Sequence, residues 1–212
     1  WWKKDVPTKH GRFFAMPVFK RNCDPHDPPI SAAHHLPFCC RDRCMSSAEV
    51  SIDAFHRGRF FVAQPKSQGH RSGIDAMLLA SLVADEKPIS VADLGAGAGA
   101  AGLAVAARLP LARVLLVEKF PIMAAFARKS IALAENAALE GRVQVLEADV
   151  VLNGKARLEA GLCDEVHDHV IMNPPFNHAG DRRTPDGLKA QAHAMTDNLF
   201  EHWIKTAGAI MK

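Results

Sequence analysis

A glycine-rich turn between an apolar segment and an alanine-rich segment constrains the fold of this chain more than any other feature. Residues 89–94 are mainly apolar and predict a buried strand, and Gly95, Gly97 and Gly99 follow almost directly. Residues without a Cβ atom allow a tight turn, and the helix expected from about residue 100 points its N-terminal N–H groups back toward that turn. This strand–turn–helix unit is typical of α/β proteins that bind a ligand at the turn.

The segments around this unit continue the alternation of strands and helices. Residues 113–117, 142–146 and 168–172 predict three further strands, and a helix is predicted from Pro121 to about residue 138. A strand at 59–64 and a helix at 74–84 precede the glycine turn. The order predicts a Rossmann-like α/β fold with a doubly wound, mainly parallel sheet and helices on both faces.

Residues 1–44 differ from the rest of the chain. They contain four of the five cysteines and six of the thirteen prolines, without a sustained helical or strand period. We expect a disordered or non-native extension here, with Met45 as the natural start and one domain over 45–212. A zinc site in residues 1–44 is the alternative, but its cysteines form no Cys-x-x-Cys pair.

The charge is not distributed evenly. Eight Lys and Arg and four Asp give residues 1–44 a net charge of +4, which leaves −1 for residues 45–212 from a total of +3. A general basic field therefore does not indicate nucleic-acid binding by the domain. No apolar run is long enough to predict a membrane span, and we expect a cytoplasmic protein without a membrane partner.

The turn also contains a Gly-x-Gly-x-x-Gly spacing, formed by Gly97, Gly99 and Gly102. Glu118 ends the next predicted strand, where a carboxylate can accept hydrogen bonds from both ribose hydroxyls of an adenosine. Both features suit an adenosine-containing cofactor, but they do not separate S-adenosylmethionine from a dinucleotide. An NAD-dependent oxidoreductase therefore stays open at this point.

Asn173, Pro174, Pro175 and Phe176 follow the predicted strand 168–172, at the sheet edge where α/β proteins bind ligands. The Asn173 side-chain oxygen and the Pro174 carbonyl are two acceptors that can hold the hydrogens of a planar amine. Asn does not titrate, so we assign it a positioning role. Pro175 stiffens the turn, and Phe176 offers a flat face for stacking of the target ring. The motif predicts that a planar nitrogen is held at this position, and this positioning requires no metal.

Basic residues follow this motif in a loop. Arg182, Arg183 and Lys189 lie beside the predicted acceptor pocket, and we expect Arg57, Arg59 and Lys66 near its other rim. They suit RNA phosphates, although ordinary solvated charge explains them equally well.

Together these motifs resemble, in order, those of the bacterial tRNA N6-adenine methyltransferases that modify a valine tRNA. The resemblance covers about residues 55–212. It rests on Gln64, Pro65, the run from Gly69 to Leu79, the Asp93–Gly99 turn, Glu118, Asp149 and the Asn173–Phe176 motif.

The resemblance implies S-adenosylmethionine as cofactor and an adenine of tRNA as acceptor, with no stable protein partner evident. It implies that Arg71, Gly73 and Asp75 border the methionine part of the cofactor, as does Asp93, and that Asp149 contacts the adenine amino group. It also implies a seven-stranded class I sheet, of which the C-terminal strands are missing from this chain.

The resemblance leaves the acceptor open. Phe176 stands where that family often has Tyr. The same motif is similar to that of ribosomal RNA guanine N2-methyltransferases, and release-factor glutamine N5-methyltransferases share its Asn-Pro-Pro core. The motif therefore predicts a planar amine or amide more securely than it predicts adenine.

Overall fold

Four parallel strands form the main sheet of the structure. A computed structural model describes residues 50–66, 71–85, 87–174 and 198–212. In chain order, the elements are β1 (Val50–Phe55), β2 (Phe60–Pro65), α1 (Ile74–Ser81), β3 (Ile89–Leu94), α2 (Ala100–Arg108), β4 (Ala112–Glu118), α3 (Pro121–Ile131), a 3-10 helix (Ala134–Leu139), β5 (Val143–Glu147), α4 (Gly154–Glu159), β6 (His169–Met172) and α5 (Leu199–Ile210). The strand order in the main sheet is β5-β4-β3-β6, and all its pairs are parallel. The predicted doubly wound α/β fold is confirmed.

The chain changes direction across the sheet at β3. From β3 it continues outward to β4 and β5, then returns to place β6 on the other side of β3. A switch point of this kind opens a crevice at the carboxyl ends of the strands, where the side chains of a ligand site can converge. The predicted motifs at residues 93–99 and 173–174 flank this crevice.

Alanine and glycine let α2 lie close to the sheet. A Cβ atom added to Gly102 would lie 2.2 Å from Leu116 Cδ2 and 3.0 Å from Val114 Cγ1, so any side chain there requires the helix to move. On the opposite face, Trp203 of α5 packs with Leu94 and Leu162 in a second apolar cluster. Both faces of the sheet are therefore covered, as its apolar strands require.

An antiparallel hairpin of β1 and β2 packs beside the main sheet as a separate two-stranded sheet. Asn136 and Ser130 attach it through side-chain bonds to the backbone of β2, at Phe61 and Ala63. The sequence analysis predicted β2 but missed β1. Within the described residues, no helix is long and apolar enough to cross a membrane.

The helix predicted to run from Pro121 to about residue 138 is interrupted. Leu133 is extended, with ψ of 137°, between α3 and the 3-10 helix. The break lets Asn136 turn its amide onto Phe61 and onto the Ser130 carbonyl. Tertiary hydrogen bonds thus override the local helical preference, which also failed to indicate α4.

Candidate active site at the carboxyl edge of the sheet

The three glycines of the turn after β3 differ in what surrounds them. All have positive φ, +71° at Gly95, +58° at Gly97 and +91° at Gly99. An added Cβ atom would lie 2.4 Å from Trp203 at Gly95 and 2.8 Å from Leu116 at Gly99. At Gly97 the nearest atom is Met123 Cε, 3.9 Å away. Gly95 and Gly99 therefore accommodate the protein's own packing, while Gly97 leaves room for a ligand to approach the backbone.

Glu118 fixes this turn from the end of β4. The carboxylate is buried, and it accepts the Gly97 N–H at Oε2 and the Phe120 N–H at Oε1, both at 2.8 Å. Burial raises the pKa of Glu118, and the backbone hydrogen bonds partly oppose that rise. A carboxylate has about four acceptor positions, so these bonds leave capacity for ligand hydroxyls.

Asp93 lies beneath the turn, in β3. Its Oδ2 accepts the Gly102 N–H at 2.8 Å, which satisfies one of the unpaired donors in the first turn of α2. Burial raises the pKa of Asp93 to about 7, and the nearby charge of Glu118 adds to the rise, against the opposing effect of the Gly102 bond. The carboxyl group therefore changes charge near neutral pH.

Asp149 lies two residues beyond β5. Its Oδ2 pairs with Lys119 Nζ at 2.9 Å, and its Oδ1 accepts the Val151 N–H at 3.1 Å. Because β5, β4 and β3 are neighbours, Asp149, Glu118 and Asp93 bring three carboxyl groups to one edge of the sheet. These carboxyl groups offer hydrogen-bond acceptors to a ligand with hydroxyl, amino or cationic groups.

Asn173 follows the last residue of β6 and is exposed at the same edge. Its Nδ2 donates to Asp75 Oδ2 at 2.8 Å, and within the described chain its Oδ1 has no hydrogen-bond donor. Pro174 is buried directly after it. The structure thus leaves the Asn173 amide oxygen open at a strand end, and its predicted role as an acceptor for an amine stays a prediction.

Two further predicted residues lie on the approach to α1. Arg71 donates from Nη2 to Asp53 Oδ2 at 2.7 Å, and from Nη1 to Ser51 Oγ at 3.0 Å and the Pro65 carbonyl at 3.2 Å. The Gly73 N–H donates to Asp75 Oδ1 at 3.0 Å. The structure thus brings Gly73 and Asp75 to Asn173, whereas Arg71 is engaged with the hairpin.

Sequence reasoning missed the hairpin side of this network. Asp53 Oδ2 also accepts from Gln64 Nε2 at 2.7 Å, and Gln64 Oε1 accepts the Ser72 N–H at 2.8 Å. The alternation of polar and apolar residues in β1 could have indicated this network. In the structure its polar side is the more buried one: Ser51 and Asp53 are half-buried, while Ile52 is 51% exposed. Inverted alternation of this kind marks a polar interior contact.

No contact in the described part of the chain tests whether Arg57 and Arg59 border the site, which stays a prediction. They lie in the loop between β1 and β2, at the end of the hairpin that is attached to Asn136. β2 separates this loop from Arg71, and the strand spans about 17 Å from Phe60 to Pro65 at the usual rise. Lys66 lies directly after β2.

Some predicted residues lie outside the part of the chain that the structure describes. They are Pro175, Phe176, Arg182, Arg183, Lys189 and the whole of the predicted extension 1–44. Across residues 50–66, 71–85, 87–174 and 198–212, no three His, Cys, Asp or Glu side chains group in a way that suits a metal ion.

The profile of the methyltransferase small domain matches residues 71–199, more than half of the chain. The chain belongs to the methyltransferase small domain family. The match spans the approach to α1, the glycine turn, the three strand-end carboxyl groups and Asn173, so the residues of the crevice all lie within the family domain.

Curated relatives of this methyltransferase small domain carry one name. A Pedobacter heparinus protein named tRNA1(Val) (adenine(37)-N6)-methyltransferase is 28% identical over 141 residues, which cover 66% of this chain and 55% of that protein. A Porphyromonas gingivalis protein of the same name is 31% identical over 121 residues, covering 53% and 45% respectively. The chain spans about half the length of the curated relatives it matches.

Solved structures share the fold. A predicted O-methyltransferase from Agrobacterium tumefaciens is 55% identical, with a TM-score of 0.53 over 64% of this chain and 55% of that chain. TYW2 of P. horikoshii, solved in complex with MeSAdo, is 18% identical, with a TM-score of 0.51 over 78% and 50%. The second likeness extends over more of the chain and concerns the fold alone.

Proposed function

We propose that this protein is an S-adenosylmethionine-dependent N-methyltransferase that methylates the exocyclic N6 of an adenine in tRNA. The observation that carries the proposal is Asn173, an exposed amide at the end of β6 whose NH₂ group is bonded to Asp75. The amide oxygen is thereby left to accept a hydrogen from an amine. An acceptor at this position orients an amine lone pair toward a methyl donor bound across the crevice.

The residues at the crevice fit that cofactor. Gly97 has space for a ligand against its backbone, and Glu118 retains acceptor positions for ribose hydroxyls. Asp93 and Asp149 suit the cationic amino group of the methionine part and the adenine amino group, respectively. When bound, S-adenosylmethionine supplies an electrophilic sulfonium methyl group. The residues of this chain need only hold the acceptor nitrogen in line with it.

The same geometry argues against a dinucleotide. Gly99 and Gly102 of the Gly-x-Gly-x-x-Gly spacing are accounted for by contacts with Leu116, which need no pyrophosphate. The buried carboxyl groups of Asp93 and Glu118 at the strand ends offer acceptors, and a dianionic pyrophosphate has no hydrogen to donate to them. An NAD-dependent oxidoreductase would also leave the Asn173 amide and its bond to Asp75 without a purpose.

Asn173 favours nitrogen over oxygen as the acceptor. An exocyclic amine has two hydrogens to be held, and Asn173 Oδ1 with the Pro174 carbonyl provides two acceptors. The name shared by the curated relatives supports adenine in tRNA. The Agrobacterium tumefaciens structure, named a predicted O-methyltransferase, favours an oxygen acceptor as the second candidate.

An RNA substrate requires that the target base leave its stack, as in a loop or a flipped nucleotide. We include Pro175 and Phe176 in the acceptor pocket, and Arg182, Arg183 and Lys189 as contacts to RNA phosphates. An activity on tRNA would place the protein in the cytoplasm.

The acceptor is tested by nucleoside mass analysis of tRNA and ribosomal RNA from cells with and without the gene, together with peptide analysis of release factors. Loss of N6-methyladenosine from tRNA, restored by the purified full-length protein with S-adenosylmethionine, is the expected result. Loss of a 2′-O-methyl nucleoside, a guanine N2 mark or a glutamine mark would overturn the adenine assignment. Binding of NAD without binding of S-adenosylmethionine would overturn methyl transfer itself.

A further inference from the structure

A carboxylate from a distant part of the chain holds the Asn173 amide. Asp75 and Asn173 are 98 positions apart, and Asp75 Oδ2 accepts from Asn173 Nδ2 at 2.8 Å. A carboxylate accepts hydrogen bonds but does not donate them, so only the NH₂ end of the amide can face it. We infer that Asp75 is a positioning residue that fixes the Asn173 amide with its oxygen toward the acceptor amine. This inference rests on the proposed function.

Asp75 is itself held in place. Its Oδ1 accepts the Gly73 N–H at 3.0 Å, at the N-terminus of α1, where the helix dipole favours a carboxylate. A Cβ atom at Gly73 would lie 3.3 Å from that same oxygen. The glycine therefore allows the backbone N–H to approach the carboxylate closely, and the two oxygens of Asp75 serve two different partners.

The segment before α1 is anchored to the hairpin. Arg71 pairs with Asp53, and the Ser72 N–H donates to Gln64, whose side chain is buried. Gln64 and Arg71 meet at the same Asp53 oxygen. These bonds place the first turn of α1, and with it Asp75, independently of any ligand.

The two ends of an Asn side chain are nearly the same in shape and opposite in hydrogen-bonding character. An amide turned over would present NH₂ to the acceptor amine, and two donors cannot hold each other. The bond to Asp75 excludes that orientation. Loss of an orienting partner of this kind typically lowers activity about 10- to 100-fold.

A reciprocal exchange of the two side chains tests this assignment. Asp75→Asn should lower kcat for methyl transfer about 10- to 100-fold, with KM for S-adenosylmethionine changed less than about twofold. Asn173→Asp should also be impaired, because two carboxylates would then meet. In the double variant Asp75→Asn/Asn173→Asp, the introduced amide donates to the introduced carboxylate, whose second oxygen can still accept from the amine. We expect it to recover at least about tenfold of the lost kcat.

A matched control removes the same charge elsewhere. Asp85 lies just beyond the C-terminal end of α1, and the variant Asp85→Asn should leave kcat unchanged. A raised KM for S-adenosylmethionine with unchanged kcat in Asp75→Asn would overturn the inference in favour of a cofactor contact. Failure of the double variant to recover activity, with wild-type backbone amide NMR spectra, would overturn it as well.

The Asn173 side-chain amide gives a readout that does not need turnover. Its NMR resonances, identified by their loss in Asn173→Asp, should move in Asp75→Asn and stay in place in Asp85→Asn. Unchanged resonances in Asp75→Asn would overturn the contact. Absence of methyl transfer by the wild-type protein would instead overturn the proposed function. The resonances would then still report the contact between Asp75 and Asn173, but the contact would have no catalytic role.

Discussion

At the scale of single residues, the crevice combines buried carboxyl groups with backbone donors. Asp93 and Glu118 are 2% and 5% exposed, and each accepts at least one backbone N–H. The two groups therefore serve the fold before any ligand is present. Burial destabilises a carboxylate, and a bound cationic ligand would relieve that cost.

Asp93 should make stability depend on pH. Its pKa is about 7 in the folded protein, against an ordinary value of 3.8, so the folded state holds the proton more tightly than the unfolded state. The free energy of unfolding should then fall as pH rises from about 4 to 7, by on the order of 4 kcal/mol from this group. Asp93→Asn cannot ionise, and its oxygen can still accept the Gly102 N–H. In urea unfolding from pH 5 to 8, the free energy of unfolding of Asp93→Asn should increase relative to that of the wild type as pH rises. A difference that stays constant with pH would contradict this prediction.

Glu118 should control affinity for the cofactor. Glu118→Gln removes the negative charge and replaces one carboxylate oxygen by an NH₂ group, which cannot accept from the Gly97 or Phe120 N–H. We expect the Kd for S-adenosylmethionine to rise about 10- to 100-fold in calorimetry, as for loss of a hydrogen bond to a charged group. Glu147→Gln is the matched control, since Glu147 ends the neighbouring β5 and pairs with Arg128 of α3. Equal losses of affinity in both variants would show that the cofactor responds to the total charge at the strand ends and does not depend on the position of Glu118.

At the scale of elements, the glycine turn can be tested by two equal backbone perturbations. Gly97 and Gly141 have φ of +58° and +74°, and neither has an atom within 3.8 Å of an added Cβ. Alanine at either position should cost about 1–2 kcal/mol in unfolding free energy, because L-residues are strained at these angles. Only Gly97→Ala should also weaken cofactor binding, since Gly141 lies before β5, at the amino ends of the strands and away from the crevice. Retained affinity in Gly97→Ala would mean that the cofactor does not approach this backbone.

Sequence patterns located the elements of the main sheet well, because its strands are apolar and regularly alternate with helices. The strand predicted at 89–94 coincides with β3, and that predicted at 113–117 lies within β4. The hairpin was harder to predict. β1 turns Asp53 inward and Ile52 outward, and its loop has positive φ at His56 and Arg57 instead of an Asn-Gly signal.

The candidate site divides in the same way. Residue types and strand ends predicted Glu118 and Asn173, because ligands bind where parallel strands end. The partner of Asn173 is Asp75, which the family resemblance placed beside the cofactor. The sequence did not indicate the bond between the two side chains. A contact across 98 residues depends on where α1 lies against β6, which tertiary packing alone determines.

At the scale of the whole molecule, two sheets with no shared backbone ladder must be held together by side chains. Asn136 is 1% exposed and contacts three backbone groups of the hairpin and α3. It accepts the Phe61 N–H at 2.9 Å and donates to the Phe61 carbonyl at 2.7 Å and the Ser130 carbonyl at 2.6 Å. Ser130 Oγ adds a bond from the Ala63 N–H at 2.9 Å. These bonds, together with the apolar core that β2 shares with the main sheet, fix the position of the hairpin and so of the Asp53 contact with Arg71.

Asn136→Ala should therefore destabilise the entire domain. The change leaves the Phe61 N–H and two carbonyls without their partner, and buried groups of that kind cost about 1–3 kcal/mol each when nothing replaces the bond. We expect a loss of about 3 kcal/mol in the free energy of unfolding, measured in urea, with one cooperative transition because hairpin and main sheet share a core. Asn153→Ala is the matched control: Asn153 is exposed, and its side chain does not cap α4, so its loss should stay within about 0.5 kcal/mol. Two separate transitions in Asn136→Ala would contradict a single cooperative unit and would make the hairpin a domain that docks by itself.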